Sequence, residues 1–488
     1  MTDTTGGAQF YSALQSKAMA AVQDTFKSTL YPVQYPAQGD FAWNWQNANQ
    51  VFNDATYGYA NALVQPGDIP GTVQLSPAGG FANAYVGLLN DLVFQLSTTD
   101  QAKLTAAQSN ATVQAGTIVS DYQAIYGPIT DAQRAAVGAP TKQDYVIGYV
   151  LGSQWSGSAK PLTYTQMASA RNLKVLLPLA PASADQIITD VAVYLNLMQP
   201  VNGLQDQLLN GAWTLAQLKG NTMNPSATNG GIQTFDPNSG ATLGWNVGWS
   251  VASSVASINN DLANTGRTIE IDLTTTSSSD NTLGVNVDGQ VGFSVGSWLE
   301  FSTEASASYD MSRTSGTSTE CSVSIVYAGY SMVPLAPSPW QQATNVGFYA
   351  PDPVAQAVAN SGQDVTGFQF LSDPPYRLGP VADGGNFGVL TNLLVANYPT
   401  ITITYEHADY ATFAQSWDEK VSGNLTLFGF IKLGSFSQGA YGSTVTSSTD
   451  NSSFTITFSA SPEVTAVPQN QKTAYVVGAA VANPGVTH

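Results

Sequence analysis

The clearest pattern in the chain is an alternation of apolar and polar side chains that begins at Leu283 and continues to Met311. Alternation with a period of two is typical of a β-strand with one buried face. The pair Asp288-Gly289 predicts a hairpin turn inside this run, because both residues tolerate the backbone of a two-residue turn. Residues 290–311 then keep one alternating register and predict a single strand far longer than usual.

A second alternating strand follows a Ser/Thr-rich turn at residues 312–319. Its polar positions include Ser322 and Ser324, and prolines beyond Tyr327 end the pattern. These two strands and their turn define the first predicted hairpin, a candidate for membrane insertion or assembly. The apolar positions of the first predicted hairpin are Leu299, Phe301, Ala305, Ala307, Tyr309, Met311, Cys321, Val323, Ile325 and Tyr327.

A similar order of elements recurs nearer the C-terminus, where a Ser/Thr-rich stretch at 443–453 separates two apolar segments. Strand, small-residue segment, Ser/Thr linker, alternating strand and proline follow one another in both regions. Internal duplication and convergent β-composition both explain this likeness. The apolar positions of the second predicted hairpin are Leu425, Leu427, Ile431, Leu433, Phe454, Ile456 and Phe458.

The N-terminal part of the chain instead carries apolar side chains at spacings of three and four, which predicts amphipathic helices. One helix is expected to begin near Ser97, a residue type that favours helix N-termini, and to run past Tyr122. Two more helices are expected, one capped by Ser183 or Asp185 and one from Gly203 to Leu218, separated by Pro200.

These patterns predict an α+β fold in which an N-terminal α-helical region precedes a long-stranded antiparallel β-sheet or sandwich region. The helical domain is expected at 1–220 and the β-rich domain at 241–488, with an Asn/Gly-rich linker at 221–240. Within the β-rich domain, residues 333–399 form a Pro/Gly-rich excursion that is expected to cap the sheet.

Charge is scarce in this chain and unevenly distributed. Charged residues make up 10% of the sequence, against about 25% in an ordinary soluble domain. Residues 1–230 hold nine Lys/Arg, thirteen Asp and no Glu, whereas residues 231–488 carry a net charge of −14. The net charge of −18 excludes the basic footprint of a nucleic-acid-binding protein, and the single Cys321 excludes a disulfide framework. The missing glutamate reflects either source composition or helices covered by the β-region or by other subunits.

Candidate catalytic groups are few. The motif G-x-S-x-G occurs around Ser294, but the alternation runs through it and no helical pattern follows, so we interpret it as a strand. His407 is the only histidine before the C-terminal residue, which leaves a His-based metal site short of ligands. Glu300 and Glu304 would lie about 13 Å apart along one strand, farther than the paired carboxylates of glycosidases. We therefore predict a protein that is not an enzyme and uses no metal or cofactor.

The Ser/Thr-rich strands around the first predicted hairpin resemble, over residues 283–335, those of aerolysin-type β-pore-forming proteins. This resemblance implies a protein that stores amphipathic hairpins in soluble form and assembles them into a membrane barrel. It also implies that the residues from Tyr309 to Cys321 form the inserting hairpin. Each membrane-crossing strand needs only about 9–11 alternating residues.

Two other functions remain open at this stage. Long strands, few charges and helices without glutamate also suit a self-assembling particle or filament subunit, whose subunits cover one another. A glycan-binding protein is the second alternative, because six tryptophans lie among Asn, Gln and Gly residues. They are Trp43, Trp45, Trp245, Trp249, Trp298 and Trp340. The partners expected are further copies of the chain and a membrane lipid or glycan receptor, and no nucleic acid.

No stretch of the sequence predicts a transmembrane helix, since the richest apolar run, Val175–Ala182, is short and interrupted by two prolines. The first residues lack the basic and apolar regions of a signal peptide. We expect synthesis in the cytoplasm without a signal peptide, with release or export by a signal-less route left open.

Overall fold

A computed structural model of the 488-residue chain describes most of its residues. The described ranges are 4–34, 41–42, 53–76, 80–236, 239–276, 283–287, 289–295, 299–302, 321–406, 424–427, 431–432, 441–449, 452–460 and 473–485.

Most of the helices lie in the N-terminal half. The α-helices are α1 (Thr4–Val22), α2 (Asp54–Ala60), α3 (Gly80–Asn90), α4 (Thr98–Tyr126), α5 (Asp131–Val137), α6 (Lys142–Asp144), α7 (Tyr164–Ala168), α8 (Leu173–Leu176), α9 (Asp185–Met223), α10 (Val255–Ala263) and α11 (Asp352–Ala359). A π-helix spans Tyr145–Gln154. None of the helices in the described ranges is long and apolar enough to cross a bilayer.

Most of the strands lie in the C-terminal half. They are β1 (Tyr31–Pro32), β2 (Phe41–Ala42), β3 (Leu63–Pro66), β4 (Val73–Ser76), β5 (Leu92–Gln95), β6 (Ile232–Phe235), β7 (Thr242–Asn246), β8 (Trp249–Val251), β9 (Thr268–Thr276), β10 (Leu283–Val287), β11 (Gln290–Val295), β12 (Leu299–Ser302), β13 (Cys321–Ala328), β14 (Tyr330–Pro337), β15 (Gly367–Phe370), β16 (Gly388–Ala396), β17 (Thr400–Glu406), β18 (Asn424–Leu427), β19 (Ile431–Lys432), β20 (Tyr441–Ser447), β21 (Ser453–Ala460) and β22 (Thr473–Ala482). With antiparallel sheets and mostly N-terminal helices, the predicted α+β fold class is confirmed.

The chain divides into two compact units that are interleaved along the sequence. Unit 1 contains Met1–Leu92, Ala216–Val358 and Phe370–His488, and unit 2 contains Val93–Leu215 and Ala359–Gln369. The predicted helical domain at 1–220 thus contributes residues to both units, and the predicted β-rich domain at 241–488 also gives a short segment to unit 2.

Unit 1 is built on two large antiparallel sheets. The first has seven strands in the order β11-β10-β9-β13-β17-β21-β20. The second has the order β1-β22-β16-β14-β8, with β2 on β22, β3 on β16 and β4 on β3. Helix α1 contacts strands of both sheets, and its Phe10 and Leu14 belong to a core cluster that also contains Ile325 and Val477.

Unit 2 is mainly helical. Helix α4 begins where the Ser97 hydroxyl accepts a hydrogen bond from the Asp100 backbone N–H, and it ends at Gly127, whose φ is 84°. Because residues three or four apart share one face of a helix, α4 presents one apolar stripe to the core. That stripe consists of Leu104, Ala107, Ala111, Ala115, Ile118 and Tyr122.

Three details differ from the sequence predictions. The N-terminal half contains strands β1 to β5, which the helical spacing did not predict. Pro200 does not separate two helices, since α9 continues through it from Asp185 to Met223. The single register predicted for 290–311 is not kept, because β11 belongs to the seven-stranded sheet and β12 to a three-stranded sheet with β18 and β19.

Candidate functional site

The inner face of the seven-stranded sheet is apolar across its central strands. Ile325 of β13 pairs with Ile271 of β9 and with Ile401 of β17, and all three side chains are fully buried. At the end of the sheet, the rings of Tyr405 and Phe454 stack with their centroids 4.6 Å apart. This face supplies the hydrophobic core of the sheet, and α1 covers it.

The outer face of the same strands is formed largely by hydroxyl side chains. Ser322 of β13 pairs with Thr274 on one side and Thr404 on the other, and Thr404 pairs in turn with Thr455 of β21. The hydroxyls of Thr404 and Thr455 lie 3.2 Å apart. All four side chains are exposed or half-buried, and the charged residues of β9, β13, β17, β20 and β21 are Glu270, Asp272 and Glu406. Because successive side chains of a strand point to opposite faces, the period-two alternation of the sequence places apolar residues on the inner face and hydroxyls on the outer face.

Among the described residues, strands β11 and β20 form the two edges of the seven-stranded sheet. Neither strand contains a charged residue or a proline. The ladder between β10 and β11 has a register shift at Val285/Asn286, whereas β20 pairs with β21 without interruption. Edge strands are usually protected by charge, proline or bulges, so β20 is the less protected edge.

The two regions that carry the predicted hairpins meet in the small three-stranded sheet. Leu299 of β12 pairs with Leu427 of β18, and Phe301 pairs with Leu425. Strand β13 is paired on both sides, with β9 and β17, and β21 is paired with β17 and β20. Strands β12 and β13 of the first predicted hairpin therefore do not pair with each other. In the second predicted hairpin, β18 pairs with β19 and not with β21, so the segment that carries Leu425, Leu427 and Ile431 is two paired strands and not one strand. Strand β12 of the first hairpin pairs instead with β18 of the second.

The predicted site residues fall into three groups. Those on the buried face of the seven-stranded sheet are Cys321, Val323, Ile325, Tyr327, Phe454, Ile456 and Phe458. Those described as strand backbone in the three-stranded sheet are Leu299, Phe301, Leu425, Leu427 and Ile431. Those outside the described residues are Ala305, Ala307, Tyr309, Met311 and Leu433.

The remaining candidate groups from the sequence are Ser294, His407 and Cys321. Ser294 lies within β11, as the strand interpretation predicts, and His407 lies outside the described residues. Cys321, the single cysteine of the sequence, is buried, and desolvation, reinforced by the charge of Glu406, raises the pKa of its thiol. A buried thiol of raised pKa is a poor nucleophile at neutral pH. Within the described ranges, no cluster of three or more His, Cys, Asp or Glu side chains is arranged to hold a metal ion.

The three described tryptophans considered for glycan binding differ in exposure and in partners. Trp249 is buried beside Phe81 and Phe348, and the indole N–H of Trp340 donates to Asn345 Oδ1 at 3.0 Å. Trp245 on β7 is 42% exposed. Trp43, Trp45 and Trp298 lie outside the described residues.

Unit 2 contains an open groove of about 340 Å³ between α4 and α9, with Gln108, Gln205 and Tyr194 in its lining. The Gln143 amide donates a hydrogen bond to the Tyr194 hydroxyl at 2.7 Å. Desolvation raises the pKa of Tyr194, so this hydroxyl stays protonated at neutral pH. The lining carries no charged residue, so the groove offers only neutral hydrogen-bonding groups.

Strand β17, which the hairpin predictions did not include, joins β13 to β21 in the seven-stranded sheet. The signal was present in the run Thr400-Ile-Thr-Ile-Thr404, which alternates without interruption. The edge positions of β11 and β20 were also missed, because strand order depends on pairing between residues far apart in the chain.

Comparison of the chain with protein-family models, with curated proteins and with solved structures finds no match in any of the three.

Proposed function

We propose that this protein is non-enzymatic and membrane-active, of the pore-forming type, and that its copies associate through the edges of the seven-stranded sheet. The observation that carries the proposal is an open sheet whose two edge strands contain neither charge nor proline. Association and membrane insertion are separate steps, and each rests on different residues.

The association step follows from the chemistry of sheet edges. An edge strand presents a row of N–H and C=O groups that can pair with another chain. Strands β11 and β20 are different surfaces, so contact between β20 of one copy and β11 of the next is heterologous. Such a contact closes into a ring or grows into a filament, depending on the rotation between copies. Both edge strands run in the same direction, so each interface would add one parallel strand pair.

The membrane step rests on two neighbouring strands of the sheet, β13 and β17. Cys321, at the start of β13, pairs with Tyr405, near the end of β17, so both strands reach the same end of the sheet. Residues 303–320 precede β13, and residues 407–423 follow β17. Strands β13 and β17 contain eight and seven residues, close to the 9–11 that span a bilayer in a barrel. The sparse charge of the hydroxyl-rich face lowers the cost of inserting these strands.

A soluble filament or particle subunit is the second candidate. It is favoured by the same two edges, because edge pairing needs no rearrangement of the strands. The two candidates therefore differ in whether lipid is disrupted, while both depend on β20.

The test combines dye release from liposomes with mass photometry of the same samples. Thr446→Lys places a charge on the exposed face of β20, and we expect at least about a tenfold loss of oligomers and of dye release. Thr404→Lys is the matched control, since Thr404 lies in the same row of the sheet but on β17, two strands from the edge. We expect this control to assemble like the wild type.

The outcomes separate the candidates. Dye release accompanied by a ring-sized oligomer, with both lost in Thr446→Lys, supports the proposed function. Large oligomers in buffer without release from any lipid composition would leave the soluble assembly. If Thr446→Lys forms the same oligomers as the wild type, the β20 edge does not mediate association.

A further inference from the structure

The richest apolar run of the sequence lies in unit 2, at residues 175–182, and the fold does not bury all of it. Leu173 and Leu177 are 7% and 2% exposed and belong to the core of unit 2. Val175 and Leu179, which alternate with them, are 75% and 63% exposed. Pro178 and Pro181 are exposed as well. We call residues 171–181 the exposed apolar segment.

The exposed apolar segment is held in place by backbone contacts. The Leu179 N–H donates to the Trp155 carbonyl at 2.9 Å, just after the π-helix Tyr145–Gln154. A Cβ atom at Gly157, whose φ is +70°, would lie 3.2 Å from Leu179 Cδ1, so the Leu179 side chain packs over this glycine. Two buried leucines and one backbone hydrogen bond thus fix the segment. Leu176 and Ala180 are half-buried against the same core, and Val175 and Leu179 are left exposed.

The charge around this segment is the opposite of that of the whole chain. Residues 131–185 contain five of the fifteen Lys and Arg residues but three of the 33 Asp and Glu residues, a net charge of +2. Arg171 and Lys174 lie within the exposed apolar segment, and Lys160 lies in the loop that carries Gly157. All three cations are exposed, and Lys174 forms an ion pair with Asp185 whose partners are both about half exposed. Such an exposed pair contributes little to stability.

We propose that the exposed apolar segment, together with Lys160, docks this protein on an anionic lipid surface. The inference names the membrane partner and rests on the proposed function. Val175 and Leu179 enter the boundary between headgroups and acyl chains, while Lys160, Arg171 and Lys174 contact anionic headgroups. Long cationic side chains suit this position, since their methylene stems contact apolar groups while the charge stays in water.

A lipid surface fits these residues better than an acidic protein surface does. Val175 and Leu179 are 75% and 63% exposed on a short proline-containing segment. Cations interspersed with them match a surface that is anionic outside and apolar beneath. An acidic face of a second copy remains an outcome of the test, because residues 231–488 carry a net charge of −14.

The experiment is vesicle flotation of the full chain, with dye release read from the same samples. Vesicles of phosphatidylcholine alone are compared with vesicles that also contain phosphatidylserine, at low and high salt. Val175→Asn combined with Leu179→Asn is expected to weaken binding at least about tenfold. Lys160→Gln combined with Arg171→Gln is expected to weaken it about twentyfold, and only with the anionic vesicles.

Matched controls come from the same unit. Val113 and Leu209 are 69% and 67% exposed but lie on α4 and α9, so Val113→Asn with Leu209→Asn should bind like the wild type. Lys103 lies near the start of α4, outside residues 131–185, so Lys103→Gln should also leave vesicle binding unchanged. Since every substituted side chain is exposed, all variants are expected to fold, which thermal melts would check.

The result expected is salt-sensitive flotation with anionic vesicles that the two segment variants lose and the controls keep. Binding of the segment variants at the wild-type level would overturn the inference, as would equal binding to both kinds of vesicle. Loss of oligomers in buffer, with vesicle binding intact, would assign the segment to a second copy instead. Anionic-vesicle binding without dye release would contradict the proposed function and leave this inference standing.

Discussion

The seven-stranded sheet of unit 1 and the helices of unit 2 use their apolar side chains differently. In β9, β13, β17 and β21, every second side chain is buried, and most of the side chains between them carry hydroxyl groups. In the helices and loops of unit 2, apolar side chains also remain outside. Ten of the fourteen large hydrophobic residues that are exposed in the described ranges lie in unit 2.

This difference has a physical basis. A strand in a one-sided sheet has two faces, and a slip of one residue exposes every apolar side chain, so its pattern is tightly constrained. A helix on a small core uses only one stripe, and the remaining positions are free to serve other partners. Apolar residues of the sheet are therefore expected to act on stability, and exposed apolar residues of unit 2 on binding.

The largest effect is expected for a cavity in the sheet. Ile325→Ala removes a fully buried side chain between Ile271 and Ile401, and we expect a loss of about 2–5 kcal/mol in the free energy of unfolding of unit 1. Val175→Ala, in unit 2, is the matched control, with an expected change within about 0.5 kcal/mol. Denaturation in urea, with hydrogen exchange of peptides from β13 and α8, measures both changes. Equal losses in the free energy of unfolding for the two substitutions would contradict the expected difference between the sheet and unit 2.

Ile325 also illustrates what the sequence could predict. Its burial follows from alternation alone, as does the turn at Gly289, which has a φ of +75° and joins β10 to β11. The burial of Cys321, Phe454 and the other alternating positions is predictable on the same ground. The partners of these strands are not, because Cys321 pairs with Tyr405 across a long stretch of chain, and local pattern does not encode that choice.

The candidate site was less predictable than the fold class. Hydroxyls on the outer face are visible in the sequence, but an edge strand has the same composition as a central one. The prediction that Pro200 separates two helices was wrong for a different reason, because the loss of one backbone N–H is tolerated inside the 39-residue α9. The exposure of Val175 and Leu179 was equally hidden, because an apolar run predicts a core before it predicts a surface.

A second prediction concerns the packing of α9 at Gly211, inside unit 2. A Cβ atom added at Gly211 on α9 would overlap the ring of Phe94, which packs edge-on against Phe368 with centroids 5.1 Å apart. We expect Gly211→Ala to destabilise unit 2 by about 1–3 kcal/mol, because the ring has to move within a packed contact. The change is measured by thermal and urea denaturation.

The control for this prediction lies on the same helix. Nothing lies within 4 Å of a Cβ atom built at Gly203, so Gly203→Ala should stabilise α9 by about 0.5–1 kcal/mol through lower backbone entropy. Opposite signs for the two glycines would show that parts of unit 2 are packed as tightly as the sheet. The same sign for both would mean that contact with Phe94 does not limit α9.

The smallest effect concerns charge between α4 and α9. Asp190 is 8% exposed and accepts hydrogen bonds from Gln114 Nε2 at 3.2 Å and from Gln186 Nε2 at 3.0 Å. A hydrogen bond with Asp190 raises the pKa of Asp121 above 3.8, and desolvation and the charge of Asp190 act in the same direction. Ionisation of Asp121 therefore opposes folding. The resulting loss of stability is absent below pH 3.8 and complete once the pH exceeds the raised pKa.

Asp121→Asn keeps a hydrogen-bond donor for Asp190 and removes the ionisation. We expect it to stabilise unit 2 at pH 7 by less than about 1 kcal/mol, since Asp121 is partly exposed to solvent. The gain should disappear as the pH falls towards 3.8, where Asp121 of the wild type is protonated as well. Urea denaturation at neutral and acidic pH measures this difference, with Asp206→Asn on α9 as a control for net charge. A gain that is independent of pH would show that helix propensity, and not the carboxyl pair, sets the stability at this position.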